Sequence, residues 1–389
     1  MADKPSIIPP LFKGGKSEAQ GGSEMLFLLF VLSLLFSSCT KNTPPKVIQK
    51  DSVHTETKQT PADNGDTLYT INIVGDVMMG TNYPYPVLPP DDGKYIFDDV
   101  AEYLKDADVT IGNLEGTLLD EGGTPKVCLD PEHCVAFRMP EHYAGYLKQA
   151  GFDIMGTGNN HSGDMGEEGR TSTMKTLDKY GLKYAGYLRH PVTIFVKDGI
   201  RFGFTAFAPN TGTQDLNNLD SAIDAITDLR KKCDILIVSF HGGAEGSGQT
   251  RVIRQREYFL GEDRGDVYEF AHAMIDAGAD VVFGQGPHVP RAMELYNDKI
   301  IAYSLGNFCT YGKFGLSGAL GLAPILKVFI DKNGDFAHGR IIPAKQVKRG
   351  IPVYDEDGNV IKLIKQLTQK DFPETKLIID EDGYIEVSE

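Results

Sequence analysis

Five times along this chain a short polar segment able to hold a metal stands where a strand should end, and that repetition limits what the chain can fold into. The segments are Gly75-Asp76-Val77-Met78, Gly112-Asn113-Leu114-Glu115, Asn159-Asn160-His161 with Asp164, Phe240-His241-Gly242, and Gly284-Gln285-Gly286-Pro287-His288. At least four of them follow a short apolar run, such as Ile71-Asn72-Ile73-Val74, Ile235-Leu236-Ile237-Val238 or Val281-Val282-Phe283. An apolar run of that length, followed by Gly and then a carboxylate or imidazole, reads as a buried strand delivering a side chain to the edge of a sheet. Ligands gather at the carboxyl ends of strands in open α/β sheets. The layout therefore predicts one site assembled from five distant segments.

The pattern between these segments alternates apolar strands with amphipathic helices. It predicts strands over 68–74, 109–112, 153–155, 235–240, 280–283 and 299–305, and paired strands over 191–196 and 201–207. It predicts helices over 97–105, 141–151, 167–180, 219–231 and 266–278, two of them ended by Gly151 and Gly181. No linker or internal repeat interrupts this stretch, which reads as one α/β domain with two sheets over 68–320. Residues 321–389 read as further strands and turns packed on it as a small C-terminal appendage.

The net charge of −15 argues against a broad basic surface for nucleic acid. An anionic substrate would then need local positive charge from a metal or an arginine. Near the amino terminus, Met25 to Phe36 is apolar except for Ser33 and too short to span a bilayer comfortably. It reads as the core of a signal peptide, and Phe36-Ser37-Ser38-Cys39 behind it resembles a bacterial lipobox. The expectation is a lipoprotein signal over 1–39 with Cys39 lipidated, a flexible tether over 40–67, and a domain held at the cell envelope, periplasmic or surface-facing. A signal peptide with an incidental cysteine, or an uncleaved anchor, stays open. Cys128 and Cys134 bracket a turn-rich segment and read as a small disulfide loop; a metal site using His133 is the other reading. Cys233 and Cys309 adjoin apolar strands and read as buried thiols.

Carboxylate, amide oxygen and imidazole together suit one or two divalent ions such as Mn, Fe or Zn, and the imidazoles argue against a pure Ca or Mg site. Asp76 and Glu115 would supply charge, with Asn160, His241 and His288 as neutral ligands. Two such ions, about 3.5–4 Å apart, clamp a phosphoryl group and generate hydroxide for in-line attack. His161 would protonate the leaving oxygen, with Asp164 orienting its ring. Asn113, Glu245, Gln285, Asn307 and Arg170 are further candidates to touch substrate or support the site. Gly242-Gly243 is expected to leave space for a ligand beside His241.

In order, Gly75-Asp76-Val77-Met78-Met79-Gly80, Asn113-Leu114-Glu115, Asn159 to Asp164, His241-Gly242-Gly243-Ala244-Glu245, Gly284 to Val289 and Tyr303 to Phe308 resemble the CapA capsule-synthesis family. The resemblance runs from about Leu68 to Phe308 and implies a calcineurin-like metallophosphatase fold, a two-sheet α/β/β/α sandwich. It also implies a part in making or anchoring a poly-γ-glutamate capsule, with capsule-synthesis proteins as partners and an anionic polymer or phosphoester as substrate. Two positions depart from related patterns. Classical metallophosphatases carry His where this chain has Met78, and the resembled family often carries His where it has Gln285. Both changes remove nitrogen ligands, which leads to the expectation of a weaker or single-metal site. Three functions follow: a metal-dependent hydrolase or transferase, a non-catalytic polymer-binding or assembly subunit on a degenerate metallophosphatase fold, and a secreted nucleotidase-like enzyme. The last would need a base-stacking aromatic region that the sequence does not display.

Overall fold

The computed structural model describes residues 67–128 and 134–388. The expected signal peptide, Cys39 and the tether up to residue 66 lie outside the described residues.

Strand Tyr69–Met78 is the centre of the first sheet, and its burial explains its position. Ile71 and Ile73 face one way, and Val74, Val77 and Met78 pack into a different cluster. The polar Asn72 between them is fully buried and donates its Nδ2 to the carbonyl of Tyr103 at 2.7 Å, joining the strand to the end of helix Ala101–Lys105. On one side Tyr69–Met78 pairs in parallel with Val109–Leu114, which leads on to Ile154–Gly156 and Lys183–Ala185. On the other side it pairs antiparallel with Ile325–Ile330, then Phe336–Ile342, Tyr384–Val387 and Leu377–Ile379. The second sheet runs Met293–Tyr296, Lys299–Ala302, Val281–Gln285, Ile235–His241, Ile200–Phe207, Val192–Lys197.

Every central strand alternates between two buried faces. Ile235 and Ile237, with Val281 and Phe283, meet Ile71, Ile73, Val109 and Ile111 in a core between the sheets. Leu236, Val238 and Val282 point outward instead and pack with Ile226, Phe270 and Met274 of helices Leu219–Arg230 and Val267–Asp276. The outer face of the first sheet is covered by helices Tyr143–Ala150 and Gly166–Tyr180 through residues such as Leu147 and Leu177. The layers are those of the two-sheet α/β/β/α sandwich that the resemblance implies.

Three details differ from the sequence reading. The strands after residue 321 do more than pack on the domain, because Ile325–Ile330 is hydrogen-bonded directly to Tyr69–Met78 and the first sheet continues through them. The same tail carries a helix, Asn359–Asp371, whose Val360, Ile361, Ile364 and Leu367 are buried at helical spacing. The helix expected over 97–105 is reduced to Ala101–Lys105, with Phe97 and Val100 still buried in the outer core.

Register places the site. Asp76 stands opposite Asn113 on Val109–Leu114 and opposite Asn307 on the short strand Asn307–Thr310, which pairs in parallel with the end of Tyr69–Met78, and Asn113 stands opposite Gly156. In the second sheet Gln285 stands opposite His241. The carboxyl ends of both sheets therefore reach the same end of the sandwich. Gly75 permits the close approach there. A β-carbon on it would meet the Gly306 carbonyl oxygen at 1.8 Å, the same oxygen that accepts the Asp76 N–H at 2.9 Å.

Candidate functional site

Asp76 is completely buried and engages both sheets. Its Oδ1 accepts from Asn113 Nδ2 at 2.8 Å and lies 3.7 Å from His241 Nδ1. Its Oδ2 lies 3.1 Å from His288 Nδ1. Asn113 is held in turn by Asn159, which donates Nδ2 to Asn113 Oδ1 at 3.1 Å and to the Leu114 carbonyl at 2.8 Å. Asn159 Oδ1 accepts the backbone N–H of His161. The sequence reading gives Asn159 no task beside its neighbour Asn160; the structure makes Asn159 the residue that fixes the Asn113–His161 geometry.

Glu115 is also completely buried, and among the described residues neither of its carboxylate oxygens has a hydrogen-bond partner. Imidazole nitrogens of His288 and His161 stand 3.8 and 4.0 Å from its Oε1. Burial, and then the nearby Asp76 charge, push its carboxyl well above the usual range. His241 is buried with an unpartnered Nε2. Burial first, then the charges of Arg264 and the neighbouring histidines, push its proton affinity well down, so its ring nitrogen is free to act as a ligand. Asn160 Oδ1 and Gln285 Oε1 are further buried acceptors without partners, with Gln285 Nε2 turned to Ser239 Oγ at 2.8 Å.

Buried acceptors without donors are costly, and a cluster of them is what a cation relieves. One ligand atom each from Asp76, Glu115 and His241 lie within 4.8 Å of one another. This donor set, two carboxylates and an imidazole, fits a divalent metal. His288 is a neighbour of a different kind. Burial opposes its charge, but Glu115, Asp76 and Glu245 together raise its proton affinity well above the usual imidazole value. It adopts a left-handed backbone (φ 61°), and its Nδ1 also lies 2.9 Å from Asn307 Oδ1. Such a conformation in a non-glycine residue is held only by its surroundings. Met78 is absent from this cluster. Its side chain lies in the outer core, and its sulfur accepts the Gly80 N–H at 3.3 Å.

His161 is set beside the cluster. Its Nδ1 lies 2.7 Å from Asp164 Oδ2, and its ring stacks on Phe137 with centroids 4.3 Å apart. Asp164 Oδ2 also accepts the Phe137 N–H. Lys126 completes the arrangement, with Nζ 2.7 Å from Asp164 Oδ1, 3.2 Å from His161 Nδ1 and 3.1 Å from the Asn160 carbonyl. Burial lowers the proton affinity of His161, against the opposing pull of Asp164. Lys126 lies two residues before Cys128, which forms a disulfide with Cys134. The sequence held no local signal for Lys126, because its partners come from a segment about 35 residues away.

A cavity of about 520 Å³ opens beside these groups, lined in part by Asn160, His161, Arg170, Glu245, Arg264 and His288. Glu245 reaches Arg264 Nη1 at 2.8 Å and His288 Nε2 at 3.6 Å, and accepts from Asn160 Nδ2 at 3.4 Å. Burial raises its pKa, but the nearby His288 imidazole and the Arg264 charge outweigh this and hold it at about 2. Arg170 lines the cavity while tied to Glu167 and the Thr211 carbonyl. The expected open space at Gly242-Gly243 is filled by protein. A β-carbon on Gly242 would meet the Arg264 carbonyl at 2.9 Å, and one on Gly243 would meet Arg291 Nη1 at 2.9 Å.

Residues 70–311 match the family described as bacterial capsule synthesis protein PGA_cap. The chain belongs to that family. It is 28% identical over 258 residues to the capsule biosynthesis protein CapA of Bacillus anthracis, a stretch covering 61% of this chain and 59% of that relative, less than two thirds of its length. It is also 28% identical over 328 residues to the PGA biosynthesis protein CapA of Bacillus subtilis, covering 79% of this chain and 78% of that one. Among solved structures, a hypothetical protein from Thermus thermophilus matches with a TM-score of 0.44 and 14% identity over 72% of this chain and all (100%) of its own. A 5'-nucleotidase precursor from the same organism matches with a TM-score of 0.39 and 13% identity over 74% of this chain and 54% of its own.

Proposed function

We propose that this PGA_cap family member is a metal-dependent hydrolase with a phosphoesterase-like site, working at the cell envelope in the assembly of an anionic capsule polymer. The observation that carries this reading is the set of buried, unpartnered acceptors on Glu115 and His241, which share a cluster with Asp76, together with those on Asn160 and Gln285. Asp76, Glu115 and His241 would hold the metal, with Asn160 and Gln285 as added oxygen donors. A bound divalent ion supplies charge stabilisation at a phosphoryl or carbonyl oxygen and a more acidic water.

The chain's own residues do the rest. His161 carries a proton on the ring that Asp164 and Phe137 fix in place and delivers it to the leaving oxygen, with Nε2 on the Glu115 side of the ring. Arg264 and Lys126 add positive charge at the cavity wall of an otherwise acidic protein. The envelope address rests on the lipobox-like sequence at Cys39. Polymer and synthesis partners are proposed from the family to which the chain belongs.

A non-catalytic polymer-binding role has one observation in its favour. The His288 imidazole sits against Asp76 and near Glu115, and its raised proton affinity favours a protonated ring that would take the place of a metal charge. Turnover separates the two readings. The full chain, loaded with Mn, Zn or Fe, is assayed on p-nitrophenyl phosphate and on a γ-glutamyl oligomer, beside His161→Ala. The hydrolase reading expects metal-dependent turnover of at least one substrate, lowered about 10²-fold or more in His161→Ala at unchanged metal content. A loaded protein that turns over neither would leave the binding role.

A further inference from the structure

Arg264 is fully buried on the short strand Glu262–Gly265, which pairs with Glu257–Phe259 at the lip of the cavity. It has two acidic neighbours, Glu245 Oε1 at 2.8 Å and Glu262 Oε2 at 3.8 Å, and both approach the same nitrogen, Nη1. Nε and Nη2 have no partner among the described residues. These two nitrogens share one edge of the planar guanidinium, the edge that takes a carboxylate or phosphate through two parallel N–H···O bonds.

The position of that edge matters. A β-carbon on Gly286 would lie 3.2 Å from Arg264 Nη2, so the free edge lies against the turn that joins Gln285 to His288. Leaving charged donors unpaired in a buried place is destabilising, and neither Glu245 nor Glu262 relieves it at this edge. Four cationic side chains against two carboxylates line the cavity, Lys126, Arg170, Arg264 and Lys313 against Glu245 and Glu262, although the whole chain carries −15. The cavity is thus a local exception to the acidic surface.

We infer that the free Nε/Nη2 edge of Arg264 is an oxyanion-binding fork that seats a phosphate or carboxylate group of the substrate next to the Asp76–Glu115–His241 cluster. The inference deepens the hydrolase reading by naming the group the site grips, and its test reads binding, so that the two can fail separately. An Arg→Lys exchange keeps the charge and loses the fork.

The full chain is titrated with inorganic phosphate and with glutarate, metal-free and Mn-loaded, as wild type and as Arg264→Lys, with Mn stoichiometry measured in each. The expected result is binding of at least one probe by wild type, weakened about ten-fold or more in Arg264→Lys, with Mn uptake unchanged. Phosphate alone points to a phosphoester, glutarate alone to a carboxylate polymer. Equal binding by wild type and Arg264→Lys overturns the fork. Should the variant fail to fold, the Arg264 Nε–H resonance of ¹⁵N-arginine-labelled wild type decides. A saturable shift with either probe supports the fork even in protein that takes up no Mn, whereas no shift with both probes overturns it.

Discussion

His288 Nδ1 lies 3.1 Å from Asp76 Oδ2 although 212 residues separate them, and the contact joins the turn after the Val281–Gln285 strand to the central strand of the first sheet. The pair belongs to a buried cluster in which the charge each group carries depends on its neighbours.

That balance has a pH signature. Without metal, the raised proton affinity of His288 and the raised carboxyl of Glu115 mean that both retain protons above their ordinary values. Metal binding displaces those protons, so affinity should rise with pH and fall toward acid. Calorimetric Mn titration in buffers of different ionisation heat should reveal proton release; a buffer-independent heat would contradict this.

The same groups set the metal-free stability. His288 has a folded pKa above its unfolded value, so its contribution is fully present below about 6.5 and is lost as pH climbs through the raised value. Melting in chelator should therefore show a temperature that declines as pH rises from neutral into the mildly alkaline range, and His288→Gln should flatten that decline.

Asp164 answers a separate question, whether the His161 support is structural as well as chemical. It is completely buried, accepts the Phe137 N–H, and pairs with Lys126 and His161. Asp164→Ala orphans the amide and leaves Lys126 without its carboxylate, and should cost about 2–4 kcal/mol by urea denaturation. Mn uptake should be unchanged, because Asp164 is outside the cluster of Asp76, Glu115 and His241.

The loop behind His241 depends on a buried ion pair. Arg291 Nη1 and Nη2 donate to the two oxygens of Glu257 at 2.8 Å each, and Glu257 Oε2 also accepts the Ala244 N–H. Glu257→Ala strands a fully buried guanidinium and should destabilise the fold by about 3–5 kcal/mol. Gly243→Ala should be poorly tolerated as well, since its φ is +85° and the new methyl would press on Arg291. Chemical denaturation of both variants checks this.

Much of the site was legible because strand ends are local. An apolar run followed by Gly-Asp or a histidine needs only its neighbours to be read, and register then brought Asp76, Asn113, His241 and Gln285 to one end. Arg264 and Lys126 were invisible for the opposite reason. Each reaches the cavity from a short or irregular segment, and neither periodicity nor composition marks a side chain that works through distant partners. Met78, where the sequence reading has a nitrogen ligand missing, packs into the outer core and takes no place in the cluster. The helix Asn359–Asp371 shows another limit. Its Val360, Ile361, Ile364 and Leu367 carry helical spacing, but the polar run Asp355-Glu356-Asp357-Gly358 directly before it has the composition of a turn between strands.

Metal content tests the central claim most directly. The full chain, purified without added metal and then equilibrated with Mn, Zn or Fe, is compared with His241→Ala by elemental analysis after removal of free ion. One or two equivalents of at least one metal are expected in wild type and clearly less in His241→Ala, whose lost Nε2 is one of the unpartnered buried ligand atoms. Equal uptake by the two proteins, or none by wild type, would contradict a metal site built on Asp76, Glu115 and His241.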